Sequence, residues 1–99
     1  MLFRSLAVSA QNKTAVINGV VYDEKEETMS NVSVVILGKN SGIQTDNNGR
    51  FSMTVPAEKA FALIFSFTGF ESVQKNFFLS AGELEKISIK LKKIGRAHV

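Results

Sequence analysis

The chain has 99 residues, an apolar share of 44% and a formal charge of +3, which fits one small domain with a modest core and excludes a disordered chain. It has no cysteine, so disulfides, thiolate metal sites and cysteine nucleophiles are excluded. No segment approaches the roughly 18 apolar residues that a membrane-crossing helix needs.

The two ends share one explanation. The last six residues, Ile94-Gly95-Arg96-Ala97-His98-Val99, are what ATC GGA AGA GCA CAC GTC encodes, a common short-read sequencing adapter. The opposite adapter strand contains GTG CTC TTC CGA TCT, which with GTG as a start codon reads Met1-Leu2-Phe3-Arg4-Ser5. Residues 1–5 and 94–99 are therefore expected to be adapter-derived rather than biological. Without Arg4 and Arg96 the charge falls from +3 to +1, and the single histidine, His98, goes too. Residues 6–10, Leu6-Ala7-Val8-Ser9-Ala10, are apolar and small, with an A-x-A-like site before polar Gln11. They read as the end of a secretory signal peptide, so the mature chain is expected to start near Gln11 and to be exported.

From Thr14 the pattern is β throughout, and a domain is expected over residues 14–93. Ala15 to Tyr22 is rich in β-branched residues and reads as a first strand. Gly19 within it marks close approach of a neighbour or a bulge. Asp23 to Thr28 is a charged loop in which Asp23 is expected to bond its own backbone in an Asx-type turn. Val32–Leu37 is a second strand, Gly38–Gly42 a turn, and Ile43–Asp46 a short third strand. Thr45-Asp46-Asn47-Asn48-Gly49-Arg50-Phe51 then reads as a hairpin: Asp and Asn tolerate left-handed backbone, and Gly49 supplies positive φ. The fourth strand, Arg50–Val55, sets Phe51, Met53 and Val55 on one face and stops at Pro56.

Ala60–Phe67 is the most apolar run, with Phe61, Leu63, Phe65 and Phe67 on one face, and is expected to be central in its sheet. Phe65→Ala should cost about 3 kcal/mol or more; an unchanged denaturation midpoint would remove Phe65 from the core. Gly69 marks a bend between Phe67 and Phe70, whose rings are expected to pack into the core. Phe70–Leu79 is a sixth strand. Leu84–Lys92 is a seventh, with Ile87, Ile89 and Leu91 inward and lysines outward, which discourages edge pairing. A helix is expected nowhere except, as a short turn, at Ala57-Glu58-Lys59. Seven short strands with close-spaced turns argue for an all-β, two-layer sandwich of Greek-key character.

Reactive chemistry is hard to assemble from these residues. A Ser/His/Asp arrangement needs a histidine, and His98 sits at a suspect chain end. Asp46-Asn47-Asn48 offers oxygens for Ca²⁺ but lacks the long loop and terminal bidentate Glu of an EF-hand, and reads as a plain turn. Glu24, Glu26 and Glu27 have nothing apolar around them to shift a pKa, and read as a solvated loop. Gly38–Gly42 lacks the Gly-Lys-Ser/Thr ending and following helix of a phosphate loop. Phe77 and Phe78 are adjacent, so one faces out; beside Lys75 it could stack a base, though a charge near +1 argues against nucleic acid. No catalytic residue, metal or cofactor is expected.

The order Ile17-x-Gly19-x-Val21-x-Asp23, then Val32 to Ile36, then Gly42-x-x-Thr45-Asp46-x-x-Gly49-x-Phe51, then Val55-Pro56, then Leu63-x-Phe65-Ser66-Phe67-x-Gly69-Phe70 resembles the carboxypeptidase-regulatory-like domain. The resemblance spans about residues 15 to 92. It implies a seven-stranded transthyretin-like (prealbumin-like) β-sandwich in which Gly19, Asp23, Asp46, Gly49, Phe51, Phe65, Gly69 and Phe70 form the structural signature. One departure is the first loop: the family has a tighter Gly-containing turn there, and this chain has Glu26-Glu27-Thr28-Met29-Ser30.

The resemblance further implies a non-catalytic accessory domain. Such domains stand at the N-terminus of TonB-dependent outer-membrane transporters of the starch-utilisation type, after a signal peptide and ahead of a plug and β-barrel. Expected partners are that plug and barrel, or periplasmic proteins, with the isolated domain monomeric. Two alternatives are an accessory domain of a secreted metallocarboxypeptidase, where the sandwich follows the enzyme, and a surface adhesin or carbohydrate-binding module, which would need an aromatic platform that Tyr22 alone hardly builds.

Overall fold

The computed structural model describes residues 13–40 and 42–95. Of the residues 1–5 and 94–99 expected to be adapter-derived, 1–5 and 96–99 lie outside them, as does the expected leader remnant 6–10, whereas Ile94 and Gly95 are described. Seven strands form: β1 Thr14–Tyr22, β2 Ser33–Ile36, β3 Gly42–Gln44, β4 Arg50–Pro56, β5 Ala60–Ser66, β6 Val73–Phe78 and β7 Leu84–Lys90. They make a three-stranded sheet in the order β4-β1-β7 and a four-stranded sheet in the order β3-β2-β5-β6. Among the described residues there is no helix.

All pairings are antiparallel except one: β1 and β7 run parallel, with Val16 opposite Leu84 and Tyr22 opposite Lys90. Alternation explains the layers. Ala15, Ile17 and Val21 of β1, Phe51, Met53 and Val55 of β4, and Ile89 of β7 point inward and are buried. Val34 of β2 and Leu63 and Phe65 of β5 meet them from the other sheet. Fully burying one such side chain stabilises by about 1.5–3 kcal/mol. Phe65 is wholly inaccessible, as the sequence predicts, and β5 lies between β2 and β6.

Four sequence-based expectations change. First, the Thr45–Phe51 segment is not a hairpin: β3 belongs to the four-stranded sheet and β4 to the three-stranded one. The turn is a corner that carries the chain between layers, because local turn chemistry fixes a reversal but not a pairing partner. The true hairpins are β2–β3 and β5–β6. Second, the sixth strand is Val73–Phe78, and Phe70 instead forms an isolated bridge with Lys93. Third, Ala57–Lys59 is no helical turn. Glu58 is left-handed (φ 63), and its N–H donates to Leu79 O at 2.7 Å. Fourth, Phe78 does face out, but Lys75 does not stand beside it. Lys75 shares its face with Leu63 and Phe77, whereas Phe78 shares the opposite face with Ala60.

Edges are blunted by charge. Lys75 on edge strand β6 lies in register with Leu63 on the core side yet is exposed. Glu85 on edge strand β7 lies in register with Ile17. An inward-facing charge on an edge strand discourages pairing with another chain.

Candidate functional site

Two aspartate turns gather at one end of the sandwich, where β1 leaves its sheet and β4 enters. In the first, Asp23 Oδ1 accepts the N–H of Lys25 at 2.8 Å and of Glu27 at 3.0 Å. The Asp23 N–H donates to Glu27 O, and the Glu26 N–H to Asp23 O, both at 2.9 Å. In the second, Asp46 Oδ1 accepts the N–H of Asn48 at 2.8 Å and of Arg50 at 3.0 Å. The Asp46 N–H donates to Arg50 O, and the Gly49 N–H to Asp46 O, again both at 2.9 Å. The fourth residue of each turn is left-handed: Glu26 at φ 65 and Gly49 at φ 75. The two turns are one device used twice, and the repeat is invisible in the sequence because a glutamate stands in for the glycine.

Each carboxylate is stabilised by the N–H groups it gathers, so both titrate below the ordinary aspartate range. For Asp23 the main cause is the Glu27 N–H; for Asp46 it is the Arg50 N–H. Both carboxyl groups stay solvent-facing.

The second turn is bolted to the core and the first is not. Gly49 is buried; its carbonyl accepts the Val21 N–H at 2.8 Å. A Cβ there would stand 2.7 Å from Thr28 Cβ and 2.8 Å from Val21 O. Thr45, the only buried polar residue among the described ones, anchors the approach. Its hydroxyl accepts the Val32 N–H at 3.0 Å and donates to Met29 O at 2.7 Å. Sequence reasoning passed over Thr45. The available signal was a hydroxyl just ahead of a turn at the end of an apolar run, where a buried backbone N–H needs a partner.

The remaining signature residues do packing. Gly19 sits opposite Phe51 on one side and Ile87 on the other. A Cβ at Gly19 would lie 2.5 Å from Phe51 Cε1 and 2.9 Å from Ile87 Cγ1. The missing side chain lets the Phe51 ring lean over β1 and meet Phe65 of the opposite sheet, with ring centroids 5.7 Å apart. Gly69 (φ +87) has open space around it. It turns the chain so that the Phe70 N–H reaches Phe67 O at 3.0 Å and the two rings meet edge-on at 5.7 Å. Both rings are half-buried against the core. The bend joins the same end as the aspartate turns: the Ile94 N–H donates to Gly69 O, the Glu71 N–H to Lys92 O, and the Leu91 N–H to Tyr22 O.

The two outer faces differ in charge. On the larger sheet, Ser33 and Val35 of β2, Gly42 and Gln44 of β3, Ala60, Ala62, Ile64 and Ser66 of β5, and Gln74, Asn76 and Phe78 of β6 share one face. None of them is charged. Phe78 is 66% exposed, and Leu37, just past β2, is 55% exposed. On the smaller sheet, the outward row of β1, Val16, Asn18, Val20 and Tyr22, is flanked by Arg50, Ser52 and Thr54 of β4 and by Leu84, Lys86, Ser88 and Lys90 of β7.

A family model described as the CarboxypepD_reg-like domain matches residues 17–96. The chain belongs to this family. The CarboxypepD_reg-like domain is a regulatory, non-catalytic type of domain. Comparison with curated proteins returns no match. Among solved structures, the fold is similar to wild-type catechol 1,2-dioxygenase from Acinetobacter radioresistens (TM-score 0.68, 13% identity, 89% of this chain and 54% of that one). It is also similar to 3-chlorocatechol 1,2-dioxygenase from Rhodococcus opacus 1CP (TM-score 0.67, 13% identity, 89% and 63%) and to the Bacillus anthracis TIE protein (TM-score 0.64, 15% identity, 82% and 17%). The chain thus spans about half to two thirds of these dioxygenases, and at such identities the likeness is one of fold.

As a CarboxypepD_reg-like domain, the chain uses its signature for architecture. Asp46 Oδ1 is committed to two backbone N–H groups, so the turn holds its own main chain. Among the described residues, no three His, Cys, Asp or Glu side chains come together as a metal-holding group. Glu24, Glu26 and Glu27 are exposed, and Gly42 opens strand β3 rather than a helix.

Proposed function

We propose that this CarboxypepD_reg-like domain is a periplasmic accessory domain of a TonB-dependent outer-membrane transporter of the starch-utilisation type, standing ahead of the plug and barrel. The single observation that carries an interaction role is the uncharged outer face of the β3-β2-β5-β6 sheet, with Phe78 and Leu37 exposed on or beside it. Depletion of charge with retained aromatic surface marks the centre of protein contacts. The order of elements supports the receptor setting: the leader-like residues 6–10 come directly before the domain. In a metallocarboxypeptidase the sandwich would follow the enzyme. On the same reading residues 1–5 and 94–99 are adapter-derived, and genomic DNA running through either end with these same residues would refute that part.

The parent gene tests the proposal. Coding sequence for a plug and a many-stranded barrel after residue 93 is the expected result; a peptidase domain upstream of residue 6 would sink it. In the full-length receptor, a photo-crosslinker at Phe78 is expected to capture the plug, the barrel or a periplasmic protein. The same crosslinker at Lys59, at the turn into β5, should capture far less.

A further inference from the structure

We infer that the outer face of the β4-β1-β7 sheet is a second docking surface, and that its partner is an acidic polypeptide segment lying extended along the strands. This goes beyond the transporter reading and does not require it, since it concerns the opposite face and a partner of defined charge.

The charge layout carries the inference. The outward positions of this sheet hold Arg50, Lys86 and Lys90 and no carboxylate. The register places Arg50 opposite Val20, and Val20 opposite Ser88, midway between Lys86 and Lys90. With strands about 4.8 Å apart and about 3.3 Å per residue, the three cations form a triangle roughly 10–13 Å on a side. Carboxylates at alternate positions of an extended guest would fall within reach of it.

The chain's own acids reach the face only at its rim, where the Asp46 charge attracts Arg50; the outward positions around Lys86 and Lys90 hold no carboxylate. The aspartates and glutamates of the described residues lie in loops and turns, apart from Glu85, whose register is with inward-facing Ile17. At the rim, Asp46 Oδ1 is already shared by two backbone N–H groups. Lys90 Nζ lies 5.9 Å from the Tyr22 ring centroid, an aromatic support that leaves its charge facing outward.

The middle of the face selects a polypeptide over a phosphate polymer. Asn18 Oδ1 has no hydrogen-bond donor, and the hydroxyls of Ser52 and Ser88 flank its row. The Ser52 and Ser88 hydroxyls are exposed and can accept main-chain N–H groups of an extended guest; a phosphodiester has none to give.

The test uses the 99-residue chain and a fluorescent peptide of alternating Glu and Ser, read by anisotropy at low salt. The expected result is binding that weakens as salt rises, is absent for the matching Gln-Ser peptide, and falls about tenfold in Lys86→Gln/Lys90→Gln/Arg50→Gln. The control Lys59→Gln/Lys75→Gln should bind as the parent does. Thermal melts of all variants should coincide, since these side chains are exposed. Equal binding of the Gln-Ser peptide, equal loss in the control, or unchanged binding in the triple variant would overturn the inference. So would tighter binding of a single-stranded oligonucleotide, an anionic polysaccharide or phosphatidylglycerol vesicles.

Discussion

The turns at Asp23 and Asp46 share every local hydrogen bond, yet they are not equivalent in the fold. The Asp46 turn presses its glycine against Val21 and Thr28 and is fixed by the Thr45 hydroxyl. The Asp23 turn projects into solvent with Glu24, Lys25, Glu26 and Glu27 exposed. A clamp can therefore be copied without its constraint. Where the turn packs, glycine is required twice, for its backbone angle and for its lack of a side chain. Where it does not pack, a glutamate tolerates the same angle at a cost of about 1–2 kcal/mol.

That contrast is broken most severely at Gly49. Gly49→Ala adds left-handed strain and a clash with backbone, and should cost about 3 kcal/mol or more. Glu26→Ala, at the matching position, should stay within about 0.5 kcal/mol of the parent in urea denaturation. Equal effects would show that the shared turn geometry, and not its packing, sets the stability. Thr45→Val comes next. It leaves the Val32 N–H and the Met29 carbonyl buried without partners, so a loss of about 1–3 kcal/mol is expected in the same measurement. A neutral outcome would mean that water replaces the hydroxyl.

Glu26→Gly should run the other way. Relief of the left-handed cost, offset by the added freedom of the unfolded chain, should stabilise by about 0.5–1 kcal/mol. A lower melting temperature would show that Glu26 makes a contact that outweighs its strain.

The smallest effect is in acid. Folding depresses both aspartate pKa values, so each contributes stability that is complete above about pH 4 and is lost as pH falls through its folded value. Asp46→Asn and Asp23→Asn should each flatten the fall of melting temperature below that pH. A profile that keeps its slope in both variants would move the acid sensitivity elsewhere.

The strands themselves were largely legible, since alternation in Arg50–Val55 and Leu84–Leu91 marks one buried face. Their partners were not. Turn chemistry at Asp46–Gly49 announces a reversal, but whether the next strand pairs with its predecessor depends on Phe51 leaning over Gly19, far back in the chain. The self-bonding of Asp23 and Asp46 was readable from residue type. The left-handed Glu26 was not, because glutamate carries no preference for that angle and only the surrounding hydrogen bonds impose it. Likewise, the uncharged outer face was hidden because its members come from four strands with no shared local signal.

The parallel neighbours β1 and β7 set how the domain would carry tension. The chain enters at the Thr14 end of one strand and leaves at the Lys90 end of the other, so the two exits are at opposite poles. Pulling on them slides the strands past each other and loads the whole ladder from Val16–Leu84 to Tyr22–Lys90 at once, rather than opening it bond by bond as a zipper would. A module strung in line between two moving parts would hold its shape until that ladder sheared.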